Sequence, residues 1–146
     1  MTDLILAVLH HILFLSLITM LVMERTLLSA TPVNVRRLAG LDAGYGLTAL
    51  LIIVVGVCRV LYRARGWAFY EGNPWFWVKI GAFAALGLAS LPPTLAFLKW
   101  RKALKADPAF QPSSPEIASA RRLTGVQLML VALVLLAAAA MARWPF

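Results

Sequence analysis

Two adjacent histidines, His10 and His11, and a lysine, Lys79, stand inside apolar runs of this chain, and Arg59 and Arg63 close a third run. Ionisable groups at membrane depth are functional candidates by default, because a charge near the bilayer centre costs at least about 2.5–3.5 kcal/mol. Imidazole ligates haem iron, zinc or copper. Neighbouring residues of a helix project about 100° apart, so His10 and His11 cannot grip one iron from opposite sides. A six-coordinate haem b within one chain needs its second ligand from another helix, and the neutral amine of Lys79 would supply it opposite His10. Arg59 and Arg63 suit the propionates, since guanidinium pairs well with carboxylate. A copper site on His10 and His11 with a methionine is the alternative metal chemistry. Met20 and Met23, however, lie about two to three turns further along the same helix. A plainer account needs no cofactor. Lys79 then extends its ammonium to the interface beside Trp75 and Trp77, and the histidines bond between helices, as in a structural membrane protein or a small transporter subunit.

These side chains need elements to hold them. The chain has 146 residues, 62% hydrophobic and only 14% charged, with a mean hydropathy of +0.83. A soluble domain is nearer half apolar and a quarter charged, so this is a membrane protein. A span takes about 20 apolar residues, and four runs qualify, at about 4–23, 41–62, 75–98 and 123–142. The fold class expected is an all-α integral membrane protein, one four-helix transmembrane domain over 1–146. The first run lacks a basic leader segment and is too long for a signal peptide, so it reads as a retained helix.

Charge gives an orientation. The connection after the first run holds Arg25, Arg36 and Arg37, and the one before the last holds Lys99, Arg101, Lys102, Lys105, Arg121 and Arg122. The other side has Arg59, Arg63, Arg65 and Arg143. The positive-inside rule then puts both termini outside. Trp67, Trp75, Trp77 and Trp144 form an outer aromatic belt, with His10, His11, Lys79 and Arg59 in one outer stratum. The net charge of +8 sits between apolar runs rather than in a basic stripe among aromatics, which argues for lipid and against nucleic acid. The single cysteine, Cys58, excludes an intrachain disulfide.

Several features are architectural. TPVNVRRLAG at 31–40 and SPEIASARRLTG at 114–125 each offer a Thr or Ser cap, a first-turn proline and Arg-Arg-Leu-x-Gly. Both therefore start helices ahead of membrane entry. Pro92-Pro93 should bend or unwind the third span, and GLDAG at 40–44 lets a neighbour approach closely. Glu24 and Asp42 lie near Arg25, Arg121 and Arg122, where ion pairs are expected; a proton-entry site is the second reading.

The whole chain resembles a bacterial family of small four-helix inner-membrane proteins of unknown function. The resemblance is carried by LHH at 9–11, LDAGYGLTALL at 41–51, GVCRVLY at 56–62, GWAFYEGNPWFWVKIGAF at 66–83 and LPPTLAFLKWRK at 91–102. More distantly, Leu9-His10, Arg25 and Trp75-Phe76-Trp77-Val78-Lys79 look like positions of the HemJ-type membrane protoporphyrinogen IX oxidase family. That similarity implies haem b with His10 and Lys79 as axial ligands, a functional role for Arg25, and oxidation of a porphyrinogen. The membrane domain of the CopD copper-resistance family is another distant relative in appearance. A homodimer would supply a second histidine in trans.

Overall fold

The computed structural model describes residues 2–62 and 66–145. Within them the chain is helical, with no strand: α1 (Thr2–Leu27), α2 (Val35–Tyr62), α3 (Gly66–Glu71), α4 (Pro74–Ala106) and α5 (Ser114–Arg143). Four of these, α1, α2, α4 and α5, are long and apolar enough to cross a membrane. Their ends overrun the apolar runs because polar residues extend a helix into the interface without breaking its hydrogen bonding.

Capping fixes where they begin. Ahead of α2 the carboxamide of Asn34 accepts from Arg37 N at 3.0 Å, so Asn34 rather than Thr31 caps that helix. Ahead of α5 the cap is Ser113, whose backbone N–H and hydroxyl both donate to Glu116 Oε2, at 3.0 and 2.7 Å. The two sequence echoes thus start helices by different caps. Asn73, fully buried, opens α4. Its Oδ1 accepts from Trp75 N at 3.0 Å, and its Nδ2 donates to Met141 O of α5 at 3.1 Å. That side chain ties the start of α4 to the end of α5. The short α3, unforeseen in the sequence, carries Tyr70 onto Phe76, with ring centroids 5.3 Å apart.

Helix α1 packs on α2 and α5, and α4 packs on α2 and α5, leaving α1 and α4 diagonal to each other. The inward stripes recur every seven residues, the register of antiparallel helices packed at small angles. Along α4 the stripe is Lys79, Leu86, Pro93, Trp100; along α1 it is His10, Leu17, Glu24. Leu13, Leu17, Leu21, Ile52, Leu86 and Val131 fill the middle of the bundle. Leu28, Val35, Leu38, Phe97, Trp100 and Ala120 fill the end away from α3, where Gln111 Oε1 accepts from Val33 N at 3.1 Å and joins the two connections. Large apolar side chains such as Leu4, Leu61, Leu88 and Leu136 point outward, as they must where lipid replaces water. With lipid outside, helix association comes from packing and interhelical hydrogen bonds rather than from expelling water.

The helix α4 continues unbroken through Pro92 and Pro93, with Ser90 Oγ donating to Gly87 O at 2.7 Å one turn ahead. Its neighbours hold the helix where the two missing N–H groups alone would weaken it. In the GLDAG stretch only Gly44 provides a close approach: a Cβ there would lie 3.3 Å from Met20 Sδ and Cε of α1, whereas Gly40 faces open space.

Candidate functional site

Polar groups enter the bundle in two layers. The first lies near the α3 end. His10 on α1, Arg59 on α2 and Lys79 on α4 are each half-buried, and both cations lie within electrostatic range of the imidazole. They arrive there because each occupies the inward stripe of its helix, and α1 and α4 face each other across the diagonal. On α2, Gly56 faces the His10 ring: a Cβ there would sit 3.5 Å from His10 Cε1, in ordinary contact. Two nitrogens of this layer, His10 Nδ1 and Arg59 Nε, are buried without a hydrogen-bond partner. Lys79 Nζ stands 5.6 Å from the centre of the Phe76 ring, cation–π range.

His11 does not join them. It is exposed, with Nδ1 2.6 Å from Ala7 O of its own helix, and its ring meets that of His10 edge-on at 6.5 Å. Arg63 lies outside the described residues. Met20 packs on Gly44 and Thr48, about 15 Å along α1 from His10, and Met23 lies further along the same helix, so neither of these thioethers reaches the imidazoles. Among the described residues no three His, Cys, Asp or Glu side chains gather as a metal cage. A metal at His10 therefore has to bring most of its own donors, as a porphyrin does.

The second layer lies nearer the other end. Glu24 on α1 and Asp42 on α2 are buried, at 2% and 7% exposure, and lie within electrostatic range of each other and of Tyr45. Asp42 Oδ1 accepts from Thr94 Oγ1 of α4 at 2.8 Å. Glu24 Oε1 has no hydrogen-bond partner. The expected ion pairs do not form among the described residues: Arg25 instead donates from Nη1 to Arg121 O at 2.8 Å, over Gly125, where a Cβ would come within 3.1 Å of it. The guanidinium finds a helix carbonyl near the interface closer to hand than a carboxylate on the inward stripe. Arg25 is also about 22 Å along α1 from His10, in the other half of the bundle. The seven-residue interval from His10 through Leu17 to Glu24 was the sequence signal that both layers share one face of α1.

Four apolar spanning helices enclosing these groups define a polytopic helical membrane bundle with a polar interior. The chain belongs to the family of predicted membrane proteins DUF2214, whose model matches residues 2–144. No curated protein and no solved structure matches it.

Proposed function

We propose that this bundle binds haem b in the layer near α3, with a redox or porphyrin-handling role in the bacterial inner membrane and both termini outside. One observation carries the reading: His10 and Lys79, from diagonal helices, share a layer with Arg59, and His10 Nδ1 and Arg59 Nε are buried there unpartnered. The donor set fits the group. His10 and Lys79 would hold the iron in their neutral forms, and Arg59 would hold a propionate by a charge-assisted hydrogen bond. Bound there, the haem would supply one-electron chemistry; the chain supplies ligation, a charged anchor and an apolar floor of Leu13, Leu17 and Phe83 against water.

A second reading rests on the Phe76 contact. A lysine held as a cation over an aromatic ring 5.6 Å away, at the end of its helix, is at home without any cofactor.

The test is an absorbance spectrum of the detergent-purified protein from haem-supplied cells, oxidised and then dithionite-reduced, with haem quantified against protein. A Soret band near one haem per chain that shifts on reduction, and is lost in Lys79→Ala, supports the assignment. A flat spectrum from well-folded protein leaves Lys79 as an aromatic-belt cation.

A further inference from the structure

We propose that Glu24 and Asp42 form an exchangeable proton-binding carboxyl pair, a site separate from the haem layer and independent of whether haem binds. The geometry leads there by elimination. Two carboxyl groups from facing helices are buried, and a buried carboxylate requires a compensating charge or enough donors. On α1 the neighbouring cation Arg25 is committed to Arg121 O. On α2 the polar neighbours are Tyr45 and, behind Met20, Thr48, while Arg36 and Arg37 are exposed. On α4 there is only the Thr94 hydroxyl. On α5, Arg121 and Arg122 are exposed, and the inward residues are Thr124 and Gln127. Among the described residues no cation pairs with either carboxyl, and Thr94 donates to Asp42.

A second observation points to what is bound. Glu24 is 2% exposed, and its Oε1 faces the interior with no partner. A sodium or divalent ion would need about six oxygen ligands. The charged oxygens of this layer are those of the two carboxyls, one of which already accepts from Thr94; Tyr45, Thr124 and Gln127 add only neutral ones. One proton satisfies the same charge with no further ligands. Proton relays through membrane bundles are built from such intramembrane carboxyls. Glu24 lies one turn from the end of α1, and Asp42 two turns into α2, so the proton exchanges with the bulk at the end of the bundle away from α3.

A hydrophobic carbodiimide tests this, because it reacts with protonated carboxyls in apolar surroundings. The detergent-purified full-length protein is treated across a pH series, and the modified residue is located by mass spectrometry. Labelling at Glu24 or Asp42 that disappears as pH rises is expected, with loss of the Glu24 adduct in Glu24→Gln and a displaced pH midpoint in Asp42→Asn. No adduct at either residue at any pH overturns the proposal. Protection by sodium or calcium at fixed pH also overturns it, in favour of a metal cation. The wild-type measurement stands alone if either variant fails to fold.

Discussion

The two polar layers inside this bundle are built by the same helices and solved in opposite ways. Near α3, an imidazole converges with two cations. About 21 Å further along α1, two carboxyls converge with no arginine. Helices α1 and α2 each give one residue to each layer: His10 and Glu24, Arg59 and Asp42. The backbone register is therefore common, and the residue type alone sets the sign. Between the layers lies the plug of Leu17, Leu21, Ile52, Leu86 and Val131. Each layer holds buried atoms that lack a partner, His10 Nδ1 and Arg59 Nε in one and Glu24 Oε1 in the other. On the two proposals made above, each layer would be completed by a species of opposite charge: an anionic amphiphile in the first, a proton in the second.

The comparison can be broken by substitution. The largest effect is expected where the α3 end is clamped. Asn73→Ala removes two hydrogen bonds at a fully buried site and leaves Met141 O facing no donor, so it should destabilise the bundle by about 2–3 kcal/mol. Denaturant titration in bicelles would read this, and a change below the error would mean that the clamp does not hold the α3 end of the bundle in place. Next comes Thr94→Val, which deletes the single interhelical bond to Asp42. Interhelical bonds in membranes average near 0.6 kcal/mol, and about 1 kcal/mol is expected here. The smallest effect sharpens the contrast most. Glu24→Gln keeps the shape and loses no ion pair, so stability should change by less than about 0.5 kcal/mol, whereas breaking a buried ion pair would cost about 3–5 kcal/mol.

Much of this architecture was legible in the sequence, and the reasons it was legible also mark where it stopped. Four apolar runs of bilayer length announce four spans, because lipid leaves a chain few other options. The true ends, such as Ala106 on α4 and Ser114 on α5, lie beyond the runs, since amphipathic turns continue a helix without an apolar signal. The helix α3 is six residues long, too short for periodicity to reveal. The gathering of His10, Arg59 and Lys79 followed from counting depth along antiparallel spans. Which of two adjacent histidines turns inward did not follow, because α1 is apolar on every face and only its neighbours choose the inner one. The expected arginine partners of Glu24 and Asp42 failed for a related reason. Closeness in depth says nothing about direction, and Arg25 points to α5 while Glu24 points to the interior.

That difference between neighbours also gives the most direct test of the account. The dithionite-reduced minus oxidised spectrum should be recorded for wild type, His10→Ala and His11→Ala, purified in parallel from haem-supplied cells and normalised to protein. The account predicts a haem signal in wild type, its retention in His11→Ala and its loss in His10→Ala. Equal signals in the two variants, or none in wild type, would contradict it.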